Sequence, residues 1–505
     1  MKIGIDFGNT TSMVAHINEQ GIPEIFPDFE DPSGKDTPSV VHVGQRGCLV
    51  GKSLEQLLEN EPALPVARNF GARVGDGSES YQDEDGQSYR AEELASLVLR
   101  KLIQDSEKAA SDTVGGAVLA HPNWFDATQR QAILSAAAMA GLAKVELVEE
   151  STAIVQHYAL ARSPGQTLMI YNFGGSSFEA TIVETTADGP VVTASSYVQR
   201  GGREIDDKIA EVIRDNFRFA HGFDPTQDPI AEVQVRHFSE QVKLNLCSSD
   251  EDAFRSSTLL CGKAMEFYFS RQQLEDAMEE LLEETFQACR KCLDDASIEW
   301  AQLDGLLLSG GSCLNPIVRS RLRDASGLDG GQIHSQQPDL AVAFGTAHLT
   351  RDLDGIQTRS LSVRPSLEAV LDRDLSVQCV VPGTNAVETQ VIIKRDSPLP
   401  AHREFRCLTS RDEQSTLQFD WVLAGGNDDC CPLGKTVFEG LPGVAKGYPV
   451  DIDVTARLDG SIAVVATDPA TGAKSTSVLD YDERREKAER EVQRERLLNL
   501  PINVA

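Results

Sequence analysis

Short apolar runs broken by glycine-bearing turns set the rhythm of the first two thirds of this chain. Lys2 to Asp6, then Phe7-Gly8-Asn9-Thr10-Thr11-Ser12, then Met13 to Ile17 reads as strand, turn, strand. Residues 75–88 are polar and acidic and are expected to form a surface loop. Leu94, Leu97, Val98 and Leu102 recur at helical spacing, which predicts a helix over 91–110. A strand over 116–120, a helix over 126–140 with Asp126 as its N-cap, and a strand over 145–148 follow. The pattern then restarts. Strand 168–171, turn Asn172-Phe173-Gly174-Gly175-Ser176-Ser177 and strand 178–184 repeat the opening about 165 residues later, an internal duplication in pattern. Two similar α/β lobes would face each other across a cleft. Helices are expected over 205–221, 233–246, 271–296 and 341–350, with a strand over 305–308 running into Ser309-Gly310-Gly311-Ser312.

The character changes after Arg351. Residues 352–372 are polar and read as a linker. From 373 to 480 strict alternation dominates, with Gly and Pro as punctuation, which is the pattern of an all-β sandwich. The last segment, 481–505, opens with a charged, helix-forming stretch over 482–498. Its opposite charges at i,i+4 (Glu483/Lys487, Glu486/Arg490) predict a short solvated helix and tail.

Charge and composition narrow the function. A net charge of −31 repels both nucleic acid and anionic membrane, so neither is an expected partner. No apolar run is long enough to span a bilayer. Asp6 sits where a secretory signal would need its apolar core, so a cytoplasmic location is expected. The ten cysteines then read as reduced thiols. Cys289 and Cys292 have CxxC spacing but lie inside a helical stretch with no second ligand pair, so they read as a helix face. Cys430-Cys431 lies in a Gly/Asp-rich loop without a histidine and carries no assigned chemistry.

The turns carry the chemistry. A glycine lets backbone N–H groups approach phosphate oxygens, and the hydroxyls of Thr10 and Thr11 add donors. Asp6 at the strand end can hold hydrated Mg²⁺. One such turn is equally a plain hairpin. A second at Gly174-Gly175 and a third at Gly310-Gly311 point to a shared nucleotide cleft.

An ordered set of segments resembles the 70-kDa heat-shock (DnaK-type) chaperones. IGIDFGNTTSMVA resembles their first phosphate loop; Thr37-Pro38-Ser39, HPNWFDATQRQA, VEESTA, NFGGSSFEATIV, Gly201-Gly202-Arg203-Glu204-Ile205-Asp206, Glu240-Gln241-Val242-Lys243, Gly310-Gly311-Ser312 and Pro338 to Gly345 follow in the family's order. IIKRDSPLP, 438–442 and 449–462 resemble the family's substrate-binding sandwich. The resemblance implies an α/β actin-like (ribonuclease H-like, duplicated) ATPase domain over 1–351 and a substrate-binding-like β-sandwich over 373–480. It also implies ATP or ADP with Mg²⁺, extended or unfolded polypeptide as the ligand, and a J-type co-chaperone and an exchange factor as partners.

Carried over residue by residue, the resemblance assigns Asp6 (also the metal ligand), Glu150 and Asn172 to catalysis. Nucleotide contacts fall to Gly8, Asn9, Thr10, Thr11, Gly174, Gly175, Ser176, Ser177, Gly201, Gly202, Glu240, Lys243, Leu244, Cys247, Gly310, Gly311, Ser312, Leu314 and Asp339. Six departures matter. Ala67 stands where the family has a lysine that helps place the attacking water, and Asn172 replaces an aspartate. Asn9 replaces a threonine, and losing one electrostatic stabiliser typically costs about 10²–10³ in rate. Leu244 and Leu314 replace the two arginines that sandwich adenine, and Cys247 replaces a serine by the ribose. The linker lacks a leucine-rich docking segment. The roughly 25 residues after the sandwich span at most ~38 Å as a helix, too short for the family's lid.

Two functions stay open on this reading. One is a peptide-binding chaperone under nucleotide control, with weak hydrolysis. The other is a non-hydrolysing nucleotide-binding interaction or regulatory protein. A sugar kinase on the same fold is disfavoured by the sandwich.

Overall fold

The computed structural model describes residues 1–351 except 32–33, 45–46, 84, 160–163, 188 and 249–250, and residues 374–502 except 381–386, 395–396, 398–400, 425–429, 457–461, 480–493 and 495. The expected linker lies outside the described residues, as do most of 482–498 and parts of two sandwich-like segments, at 398–400 and 459–461. The described residues form two compact units. The first holds 1–125, 129–351 and 494–502; the second holds 374–479 with 126–128.

The repeated strand–turn–strand pattern proves to be a repeat of whole sheets. In the first sheet the strands lie in the order Val145–Glu149, Gly116–His121, Lys2–Phe7, Thr11–Ile17, Pro23–Phe26. In the second the order is Ile333–His334, Gly305–Ser309, Thr167–Phe173, Phe178–Thr186, Gly189–Val198. In both, the opening strand runs parallel to one neighbour and antiparallel to the other. The glycine turn therefore sits at the same corner of each sheet.

Helix Ala91–Ala110 buries Leu94, Leu97, Val98 and Leu102 against the first sheet, and Glu93 accepts from the Arg90 N–H at its start. Helix Arg271–Asp295 begins at Ser270, whose hydroxyl accepts from Gln273 N–H at 3.1 Å. Its inner face carries Cys289 and Cys292, both fully buried in the core under the second sheet. The CxxC spacing is thus a packing face, as expected. Helices Glu150–His157 and Ala341–Leu349 pack on each other, and a shared core of Ala120, Ile154, Leu168, Ile170 and Leu307 joins the two sheets.

Two hairpins stand where periodicity gave none. The polar segment expected to be a loop contains strands Glu79–Gln82 and Ser88–Arg90, held by the buried Tyr81 and Tyr89. Strands Ala253–Leu260 and Lys263–Ser270 form the second.

The end of the chain also departs from expectation. Residues 494–502 belong to the first unit, and Leu497 is 1% exposed in the core beside helix Ala91–Ala110. The Arg100 guanidinium donates to the carbonyls of Leu497 and Leu500. Arg496 pairs with the Glu93 carboxylate at 2.6 Å and lies over the Tyr89 ring. Cys48 N–H donates to the Pro501 carbonyl at 2.9 Å. A solvated helix does not describe this segment. Leu497, Leu500 and Ile502 supply apolar anchors, and Arg100 supplies donors for carbonyls that end the helical turn.

The second unit matches the alternation. Two four-stranded antiparallel sheets share one core: Val387–Ile393, Asp374–Val380, Gln414–Ala424, Cys430–Val444, and Ala401–Leu408, Pro449–Ala456, Ile462–Thr467, Lys474–Leu479. Every second residue of Pro449–Ala456 is buried. Trp421 is buried between the sheets and donates its ring N–H to Thr436 Oγ1 at 3.0 Å.

Candidate functional site

One cavity of about 1150 Å³ in the first unit gathers residues from both halves. That is ample room for a nucleotide with its cation. It is lined by Asp6, Gly8 to Thr11, Glu150, Asn172, Gly174 to Ser177, Glu240, Lys243, Leu244, Cys247, Gly310 to Ser312, Leu314 and Asp339. Gly201 and Gly202 do not line it. They lie behind the second glycine turn, where the Gly202 N–H donates to Gly174 O at 3.0 Å. A Cβ on Gly201 would come within 2.7 Å of the Gly174 and Gly175 backbone, so only glycine allows this approach.

Each turn is braced from behind. Ser39 N–H donates to Thr10 O at 2.8 Å and its hydroxyl to Gly8 O at 2.7 Å, which explains why the Thr37-Pro38-Ser39 segment accompanies the first turn. Gly174 N–H donates to Ser177 O at 3.0 Å, closing the second turn. Gly310 has φ +88° and a side chain there would strike Phe173 O, so the third turn nests directly on the second. Ser312 Oγ donates to Gly174 O at 3.0 Å. The first and second turns meet across the cleft where Asn9 Nδ2 donates to Ser176 Oγ at 2.9 Å.

The cleft floor is acidic. Burial pushes the Asp6 carboxyl up to about 7. Burial, then repulsion from Asp6, pushes Glu150 up to about 8, opposed by the bond from Asn172 Nδ2 to Glu150 Oε2 at 2.6 Å. Glu179, which the sequence reading did not single out, completes the group. It is cross-strand from Asn172, accepts from Ser195 Oγ at 2.8 Å, and is pushed up to about 8 by burial and then by Glu150. Its signal was available: an acid two residues past the second glycine turn, in the run Phe178–Val183 whose other residues are apolar apart from Thr181.

These residues fit a hard divalent cation and phosphate. The floor offers oxygen ligands only, and mutually repelling carboxyls gain from a cation. Thr10 Oγ1 and Ser309 Oγ are buried and bond to none of the described residues, so the cleft holds orphaned hydroxyls that a ligand oxygen would satisfy. At the other end Lys243 Nζ pairs with Asp206 at 2.6 Å. Leu244 and Leu314 stand open on the wall, 52% and 41% exposed, near Cys247 and Met278.

The departures have structural positions. Ala67 does not reach the cavity. Its backbone pairs with Val41 (N–H to O at 2.8 Å) and its methyl lies in the first lobe's core. Arg68 turns to Glu55 at 3.8 Å. Lys35 lines the cavity, as does Arg203, which sequence reasoning left aside.

Among the described residues no helix is long and apolar enough to cross a membrane. A family model described as Hsp70 protein matches residues 73–497. The match begins beyond the first glycine turn, so Asp6 to Thr11 rest on their own pattern and geometry.

Proposed function

The chain belongs to the Hsp70 family and is a nucleotide-binding chaperone of that kind; on that premise we propose that it binds extended polypeptide under nucleotide control, with weak hydrolysis. In this reading residues 1–351 are an actin-like ATPase domain and 373–480 a peptide-binding β-sandwich. The observation that carries it is the single cavity in which three glycine turns, from both halves of a duplicated fold, converge beside Asp6, Glu150 and Glu179.

ATP or ADP is the proposed ligand. The turns Gly8–Thr11 and Gly174–Ser177 would cradle its phosphates, Glu240 and Lys243 would face the ribose, and Leu244 and Leu314 would pack on the base. Asp6 would hold Mg²⁺, and Glu150 and Glu179 would be the carboxyls that order its waters; the ion would supply charge neutralisation at the phosphates. The chain's own groups orient and exclude water. Asn172 is an amide and cannot act as a base, and it occupies one oxygen of Glu150. The sandwich would take a peptide through backbone hydrogen bonds and side-chain pockets. A J-type co-chaperone, an exchange factor and a cytoplasmic setting belong to the same proposal.

The non-hydrolysing reading is favoured by two observations: Ala67 is packed in the core and the Asn172 amide is spent on Glu150. A single-turnover ATPase measurement, with and without an unfolded peptide, separates the two. Slow turnover stimulated by peptide supports the chaperone cycle. Tight nucleotide binding with no turnover in either condition supports the second reading.

A further inference from the structure

We propose that Arg203 is the cation that meets the terminal phosphate of a bound nucleoside triphosphate, and so sets the preference for triphosphate over diphosphate. This rests on the nucleotide reading of the cleft.

Arg203 lines the cavity at the start of helix Gly202–His221. Its backbone N–H donates to Gly175 O at 2.9 Å, which fixes it against the second glycine turn. Its guanidinium reaches the other lobe and donates to Asn69 Oδ1. Asn69 has φ +61°, a left-handed conformation that turns the chain here. Two residues further on, Gly71 abuts Asn9, and Ala72 N–H donates to Asn9 Oδ1 at 3.1 Å. Asn9 in turn donates to Ser176. The belt Arg203–Asn69–Ala72–Asn9–Ser176 thus closes over both phosphate turns, and its one charged member is Arg203.

That charge lacks a counter-ion. Among the described residues no carboxylate lies within ion-pair distance of Arg203, in a chain of net charge −31. Other cations nearby are engaged: Lys243 by Asp206, Lys52 and Arg68 by Glu55. A half-buried guanidinium held by a neutral amide is a ready donor for an anion, and its planar fork suits phosphate. Ala67, packed in the core, cannot supply this charge. Lys35 is the other cavity cation free of an ion pair among the described residues, but it is exposed and no hydrogen bond to a described residue fixes it.

The test titrates the 505-residue chain and its Arg203→Ala, Arg203→Lys and Lys35→Ala variants with Mg-ATP and with Mg-ADP by calorimetry. Arg203→Ala weakens ATP about ten- to a hundred-fold and ADP by less than about three-fold. Arg203→Lys restores part of the ATP affinity, and Lys35→Ala leaves the ATP-to-ADP ratio unchanged. An unchanged ratio in Arg203→Ala, with both nucleotides still bound, overturns the proposal. Wild-type protein that binds neither nucleotide overturns the reading of the cleft beneath it.

Discussion

Asn172 Nδ2 donates to Glu150 Oε2 at 2.6 Å on the floor of the cleft. The amide replaces what the resemblance gives as a carboxylate, and the bond shows what the replacement does. It leaves one fewer carboxylate beside Asp6, Glu150 and Glu179 and caps one Glu150 oxygen. Repulsion at the floor is eased but not removed, since Asp6 still pushes Glu150 up and Glu150 pushes Glu179 up.

Asn172→Asp therefore destabilises the nucleotide-free protein by like-charge crowding and strengthens Mg²⁺-dependent nucleotide binding. Single-turnover hydrolysis rises by about ten-fold or more if the missing carboxylate limits the rate. Ala67→Lys alone does not rescue hydrolysis. It forces an ammonium into the core, and thermal melting shows a loss of several kcal/mol. An Ala67→Lys protein that is as stable as wild type and hydrolyses faster would show that this segment shifts to present the side chain.

Stability of the nucleotide-free protein falls as pH rises from about 4.5 to about 8. Glu179, 5% exposed, and Glu150 are pushed up to about 8, and Asp6 to about 7, each chiefly by burial. A carboxyl with a raised folded pKa keeps a proton that the unfolded chain sheds, so stability is lost as pH climbs through that window and levels off above it. A pKa difference of one corresponds to about 1.4 kcal/mol; Asp6 and Glu150 touch solvent and contribute less. Urea midpoints at pH 5.5 and 8.0 measure the slope. Glu179→Gln should flatten it; an equal slope in that variant would remove Glu179 from the account.

The chain's last residues hold the first lobe. Leu497→Ala costs about 2–5 kcal/mol, because a fully buried side chain leaves a cavity. Amide exchange should quicken in helix Ala91–Ala110, whose Arg100 and Glu93 grip residues 496–500. Exchange unchanged in that helix would mean the tail lies on the lobe without supporting it.

Lys101 sits among Asp28, Glu30 and Asp105, all within ion-pair reach, with both aspartates nearly closed to water. The cluster carries its own cation. Lys101→Met leaves the carboxylates facing one another and costs about 3–5 kcal/mol. Burial already holds Asp28 and Asp105 above the usual range, so they protonate readily. The deficit is accordingly smaller at pH 5 than at pH 8, which denaturation at the two pH values reads directly.

Much of this was visible in the chain. Glycine turns after apolar runs located the three turns that converge on the cavity, because a permissive backbone at a strand end lets the chain reverse there. Helix Ala91–Ala110 followed from its four spaced apolar residues. The alternation after residue 373 gave the two packed sheets. What periodicity missed has two causes. Hairpin Glu79–Arg90 is short and polar, whereas strand Lys263–Ser270 does alternate, with Met265, Phe267 and Phe269 buried between exposed residues, so its signal was present in the sequence. Other features rest on contacts between residues far apart in the chain. Leu497 looked like one apolar residue in a charged helix until Arg100, nearly 400 positions earlier, supplied its carbonyl partners. Arg203 read as part of a glycine motif; only the fold brings Asn69 to it. Glu179 lies in the segment after the second glycine turn, and only the fold shows it buried beside Glu150.

The most direct test of the central claim is calorimetric titration of the 505-residue chain with ATP, in the presence and absence of Mg²⁺. The account predicts one-to-one saturation with Mg²⁺, and an affinity that drops when Mg²⁺ is withheld or Asp6 is changed to Asn. No saturable binding under any of these conditions, from a protein that melts cooperatively, would contradict it.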